Sequence, residues 1–217
     1  MDPSTVRWLV FLAVAAVALF FAGRNLYQVW ILRRRHVPLD HAESFVDQTV
    51  ALSGRFHLVE GVRLGHIPCV YYESVTQEYV SRGDTGGWRT VAKRSDFATC
   101  GVASKDRFVL LADVPTEVHG TQKTTLRGYT GFWEWFRGER DSREIRRWLP
   151  IPRGATVVGR LRREGALVLR RDPVAGLLLS PRRVQDVVLR ESLKALAFLS
   201  VLPLAYWFLF HYAPRLR

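Results

Sequence analysis

The sequence predicts a mainly β fold, a small barrel-like or sandwich-like cytoplasmic domain inserted between two transmembrane α-helices. Three observations carry this. Uncharged apolar runs stand near both ends, short stretches rich in Val, Thr, Tyr and Phe fill the middle, and arginine crowds the inner flanks of the two runs. At 217 residues, one domain with its own core is expected between the runs.

Residues 1–7 read as a short non-cytoplasmic N-terminus. The first run, WLVFLAVAAVALFFAG, covers 16 residues from Trp8 to Gly23 without a charge, somewhat short of the roughly 20 that span a bilayer. Beyond Arg24 and Asn25 the apolar character resumes as LYQVWIL. A transmembrane helix with an interfacial extension is therefore expected over 8–32, with Arg24 snorkelling and Tyr27 and Trp30 at headgroup level. A secretory signal peptide competes with this reading. Against it, Phe20 and Phe21 crowd the small-residue cleavage candidate at Ala22 and Gly23, and Arg33, Arg34 and Arg35 oppose translocation.

The second run, LKALAFLSVLPLAYWFLFHYA, is uncharged after Lys194 and rich in aromatics from Tyr206 to Tyr212. It predicts a second span over 193–213, with a kink at Pro203 and a basic tail over 214–217. A buried C-terminal helix of a soluble protein is the competing reading. Basic residues near the spans lie on the side of the central domain (Arg24, Arg33, Arg34, Arg35, Arg182, Arg183, Arg190 and Lys194), against Arg7, Arg215 and Arg217 on the other side. The central domain is thus expected in the cytoplasm of a bacterial cell, below its inner membrane.

Between the spans, 38–190 reads as β-rich. A short helix is expected at Leu39 to Asp47. Strands are expected over 49–61, 69–80, 88–94, 97–103 and 107–113, then in TVVGRLRR, ALVLRR, GLLLS and VQDVVLR after Gly154. SRGDTGGW at 81–88 suits a hairpin loop. Residues 129–149 break the rhythm, crowding Phe132, Trp133, Trp135, Phe136 and Trp148 among alternating charges. Trp133, Trp135 and Phe136, together with Arg33, Arg34 and Arg35, are the candidate contacts with the membrane surface; folding back onto the sheet is the plainer use of these aromatics.

Of the 32 basic residues only Lys93, Lys105, Lys123 and Lys194 are lysine, so codon bias accounts for part of the arginine excess. The charge suits anionic headgroups, and much of it lies beside the spans, which favours lipid over nucleic acid although a basic barrel would also suit single strands. Cys69 and Cys100 match neither a disulfide framework nor a four-cysteine zinc site and are expected to be reduced core residues. Cys69 near His57 and His66 suggests a nucleophile or a metal site, but its aromatic strand and the irregular spacing favour packing. No phosphate loop, nucleophile elbow or zinc-hydrolase motif stands in the sequence. No catalytic residue, metal or cofactor is expected.

The order of motifs is more specific. SGRFHLVEGVRLGHIPCVYYESV, FVLLADVPTEVHG, REIRRWLPIPRGATVVGRL and GLLLSPRR together resemble the GIDE or BAM ("beside a membrane") domain of the MULAN/MAPL-type mitochondrial E3 ubiquitin ligases and of shorter prokaryotic relatives, over roughly Gly54 to Ser180. The motif positions are Pro68, Cys69, Tyr71, Tyr72, Glu73, Asp113, Glu144, Gly154 and Gly159. Spacing within the second and third motifs is one or two residues longer than in the family. The family places membrane helices on both sides of this domain. Its ligases also carry a RING, whose zinc ions need sets of Cys and His ligands, and this sequence ends at HYAPRLR. Ubiquitin transfer is not expected. The resemblance implies a membrane-anchored β-domain that binds a partner protein, membrane or cytoplasmic, or a ligand at the bilayer surface. The alternatives are a subunit of a membrane transporter or envelope complex, and an enzyme acting on lipid or membrane proteins near Tyr71, Glu73 and Asp113.

Overall fold

The computed structural model describes residues 3–60, 62–64, 67–82, 85–128 and 141–212. It is mainly β, flanked by two long helices. Helix α1 spans Pro3–Arg34 and helix α2 spans Val184–Trp207, continued by one π-helical turn at Phe208–Tyr212. Both are long and apolar enough to cross a membrane, with mean hydropathy 2.2 and 1.8 in their most apolar windows. They run antiparallel. Trp8 meets Phe210 at 4.6 Å between ring centroids, and Phe21 stacks on Phe198 at 5.2 Å. α2 passes Pro203 as continuous helix.

Thirteen strands are described: β1 His36–Val37, β2 Thr49–Glu60, β3 Val62–Leu64, β4 Ile67–Arg82, β5 Thr85–Phe97, β6 Thr99–Ala103, β7 Phe108–Leu111, β8 Glu117–Val118, β9 Gln122–Gly128, β10 Ser142–Pro150, β11 Gly154–Glu164, β12 Ala166–Arg170 and β13 Leu178–Ser180. Five of them close a barrel in the order β2-β6-β7-β12-β11 and back to β2, every contact antiparallel except β7 with β12. This is the closure of an OB-type barrel. A second sheet grows from two insertions. β3, β4 and β5 lie between the first two barrel strands, β9 and β10 between the third and fourth, and they pair in the order β3-β4-β10-β9 with β5 also on β4.

Alternation explains why barrel strands look apolar without a break. On β2, Val50 and Leu52 enter the barrel core while Ala51, pointing the other way, packs on the helices. Likewise Val157 faces inward and Val158 outward on β11, and Leu179 inward and Leu178 outward on β13. The outward set meets Ile31, Leu32, Val187 and Val188 in a second core. The upper third of each helix is therefore part of the folded domain. Below it the side chains lie open, Phe20 at 67%, Leu196 at 63% and Leu204 at 65% exposed.

Two sequence expectations need correction. VQDVVLR is not a strand; it forms the first turns of α2, because Val184, Val187, Val188 and Glu191 repeat at helical spacing and pack on the barrel. The stretch 129–149 breaks the strand rhythm only in part, since Ser142–Pro150 is β10, paired with both β4 and β9. Trp133, Trp135 and Phe136 lie outside the described residues, as does His66. The short helix predicted at Leu39 forms as a 3-10 helix over Leu39–Phe45. Strand β4 is the centre of the second sheet, as its aromatic β-rich composition suggests.

Candidate functional site

The densest buried polar chemistry sits where the helices meet the barrel. β8 brings Glu117, the residue after next is His119, and one turn of α2 brings Glu191 and Lys194, three apart and so on one side of the helix. α1 adds Arg24. Glu191 and His119 are buried at 0% and 1% exposure. Burial of this kind is tolerated only when the charges are paired. Lys194 Nζ donates to Glu191 Oε1 at 2.8 Å and to Glu117 Oε1, and lies 3.5 Å from His119 Nε2. His119 Nε2 stands 3.1 Å from Glu117 and 3.2 Å from Glu191, and Arg24 reaches Glu117 Oε2 at 3.7 Å. Two carboxylates thus face two permanent cations across the His119 ring.

Burial works against charge on Glu117, but hydrogen bonds from His119 and Lys194 and their charges outweigh it and hold this carboxyl down at about 2. His119 Nδ1 is buried with no partner among the described residues. The ring is held by one edge only. The donor atoms of Glu117, His119 and Glu191 lie within 4.8 Å of one another, a spacing that could also hold a metal ion. In this arrangement the ammonium of Lys194 contacts all three and supplies the positive charge itself.

A second polar chain runs along the barrel surface. His36 Nε2 lies 3.1 Å from Ser53 Oγ, Ser53 Oγ lies 3.1 Å from Thr156 Oγ1, and Thr156 donates to the Arg182 carbonyl at 3.0 Å. Spending the Thr156 proton on that carbonyl makes Ser53 the donor to Thr156 and His36 the donor to Ser53. That direction leaves Ser53 without a base. The chain lies between two open clefts of about 660 and 370 Å³ that share Ser53 and Gly54.

The family-like positions are placed as follows. Cys69 is fully buried on β4, and neither it nor buried Cys100 forms a disulfide. Burial pushes the Cys100 thiol up to about 12. Pro68 pairs across β3 with Arg63. Tyr72 pairs with Trp148 and Asp96 of the flanking strands. Tyr71 and Glu73 do come together: burial, then the charge and hydrogen bond of Glu73, raise the Tyr71 hydroxyl. Glu73 in turn pairs with Lys93 at 2.8 Å and lies 3.7 Å from Arg147. Asp113 is spent elsewhere, on Arg170 at 3.0 Å and on the Arg171 amide at 2.7 Å. Glu144, lowered by its hydrogen bonds from Arg146 and Ser74, sits on β10 at 2.6 Å from each. Gly154 opens β11 opposite Arg55, and Gly159 lies on the same strand opposite Val50. His57 packs edge-on against Phe108 rather than beside Cys69.

The sequence alone does not reveal the junction cluster: it assigns Lys194 to orientation and Arg24 to orientation and snorkelling, whereas the fold turns Arg24 toward Glu117. A signal was present. Glu191 and Lys194 interrupt the entry to an apolar run, Asn25 and Gln28 interrupt the other, and all four face protein.

Comparison with protein-family models, with curated proteins and with solved structures finds no match. Fold and site define the class by themselves: a closed five-stranded barrel bearing an inserted sheet, seated on a hairpin of two helices long and apolar enough to cross a membrane.

Proposed function

We propose that this chain is an integral protein of the bacterial inner membrane with two spans, whose cytoplasmic β-domain binds a partner protein or ligand at the bilayer surface and carries out no chemistry of its own. The observation that supports this best is the rigid mount. A tethered domain would need only a flexible linker, whereas here both helices continue past their apolar parts and join the barrel through a shared core and a buried charge cluster. Such a joint holds the barrel at one height and one orientation. The bare apolar lower halves of the helices favour a lipid environment over a soluble one, since apolar patches of that size are rarely left to water.

The open clefts beside Ser53 and the edges of the second sheet are the surfaces available for a partner. The likeness to the GIDE or BAM domain agrees with this reading, and ubiquitin transfer is not part of it. Two measurements test it. Protease added to intact spheroplasts should leave the β-domain whole, and digestion from outside would overturn the cytoplasmic placement. Mass spectrometry of the tagged protein from native membranes should find a stoichiometric protein partner, and a chain that purifies alone would count against the interaction module.

A further inference from the structure

Apart from Arg33, Arg34 and Arg35 where α1 ends, the cations around the upper part of the helix hairpin fall into two sets. Arg24 and Lys194 are taken up by Glu117 and Glu191. The side chains of Arg182, Arg183 and Arg190 make no ion pair among the described residues. Two of these three line one feature, an open groove of about 490 Å³ down the outer side of α2.

The groove is ordered along its length. From the barrel end come Arg182 and Asp186, then Leu189 and Arg190, then Leu193, Lys194 and Ala197, the α2 members recurring at helical spacing as one stripe. Below Arg24 and Lys194 neither helix carries another charged side chain until Arg7 and His211 near the far ends, so these two mark the edge of the hydrocarbon. Arg190 is four residues above Lys194, about 6 Å along the axis, and the headgroup layer extends roughly 5–7 Å beyond the hydrocarbon. Arg190 is therefore at phosphate height. Arg33, on the same scale, stands nine residues beyond Arg24, about 14 Å higher.

We propose that this groove binds one anionic glycerophospholipid with a hydroxyl-bearing headgroup, of the phosphatidylglycerol kind. The acyl chain lies along Leu193 and Ala197, the phosphate meets Arg190 with the exposed edge of Lys194 below it, and the headgroup rises past Leu189 to Asp186 and Arg182. Each part of the order fits. Unspent guanidinium groups bind a phosphodiester, and Asp186 accepts from hydroxyls while an acidic group there would be repelled. A choline headgroup offers no donor to Asp186 and sets a cation beside Arg182. A free phosphate has no use for the apolar lower half, so the lipid is the source. The proposal rests on the membrane reading above.

The test uses full-length protein in mild detergent, titrated with equal amounts of phosphatidylglycerol and phosphatidylcholine of matched chains and read by native mass spectrometry. One phosphatidylglycerol should be retained with about thirtyfold preference, the scale expected of two basic contacts at a membrane surface. In Arg182→Gln/Arg190→Gln the preference should fall to parity, while Arg33→Gln/Arg34→Gln should keep it. Asp186→Asn should lose discrimination between phosphatidylglycerol and phosphatidic acid. Parity in the unaltered protein, equal losses in the two arginine pairs, or equally strong binding of glycerol phosphate would each overturn the site. Alkaline carbonate separates the two levels: release of the chain from membranes removes the membrane reading and the site with it, whereas retention with parity removes the lipid site alone.

Discussion

Replacing Lys194 by Met tests whether the charge cluster holds the barrel to the helices. Lys194 is the cation nearest the fully buried Glu191, at 2.8 Å, and it also serves Glu117. At an effective dielectric of 20 an ion pair at that distance is worth about 6 kcal/mol of gross attraction. The side chain is 28% exposed and Arg24 still faces Glu117, so the net cost falls near the low end of the roughly 3–5 kcal/mol seen when one partner of a buried pair is removed. For a chain of this size, about 3 kcal/mol lowers Tm by roughly 6–12 °C. The assay is thermal unfolding in detergent followed by tryptophan fluorescence. Lys194→Met/Glu191→Gln, which removes the stranded charge as well, should recover more than half of the loss. A drop under about 2 °C in Lys194→Met would refute the argument, because a bond worth so little could not fix the domain on its stalk.

The same cluster gives a pH dependence. Glu117 is depressed from 4.5 to about 2, so its contribution is fully present above its ordinary value and is lost as pH falls from 4.5 toward 2; the interval corresponds to about 3 kcal/mol, nearer 2 once solvent screening is counted. Glu117→Gln should flatten that part of the stability profile in acid unfolding series. Gly159→Ala should cost about 1–3 kcal/mol, because the added Cβ would lie 2.7 Å from the Arg170 carbonyl oxygen and 2.8 Å from Leu177; denaturant titration reads the loss. Cys69 and Cys100, both buried and with Cys100 pushed to about 12, should resist maleimide in the native protein and react only on unfolding. Fast native labelling of either would show that the β4 and β6 packing is wrong.

What the sequence disclosed followed from how far each signal is local. Apolar runs with arginine flanks, and β-branched stretches between Gly turns, are properties of neighbours in the chain, and the helices, β2, β4, β11 and the mainly β class were legible from them. β1, β3 and β8 were not, because strands of two or three residues carry no period and exist only through their partners. VQDVVLR misled for a related reason: seven residues with three valines satisfy a strand composition, and only the continuation to Glu191 shows the helical repeat. The cluster joins positions 24, 117, 119, 191 and 194, whose meeting depends on β8 pairing in parallel with β13 and on α2 turning back beneath it. No window of the chain contains that information.

The joint also explains why polar residues stand in both helices at their upper ends. Gln28 is fully buried and donates to the Ala175 carbonyl at 2.7 Å, and Asn25 is nearly so. In an isolated transmembrane helix such residues would cost free energy without return. Here both are turned into the protein and Gln28 bonds the barrel domain, where an apolar contact alone would let the helices slide or rotate against the smooth outer surface of β2, β11 and β13. Directional hydrogen bonds and ion pairs remove that freedom, as a single buried polar residue fixes register in a helix pair. Changing Gln28 to Leu would then preserve burial and much of the stability while loosening the angle between barrel and hairpin. Spin labels placed on the barrel and near the N-terminal end of α1 would read this as a broadened distance distribution, and an unchanged width would show that the apolar core alone sets the angle.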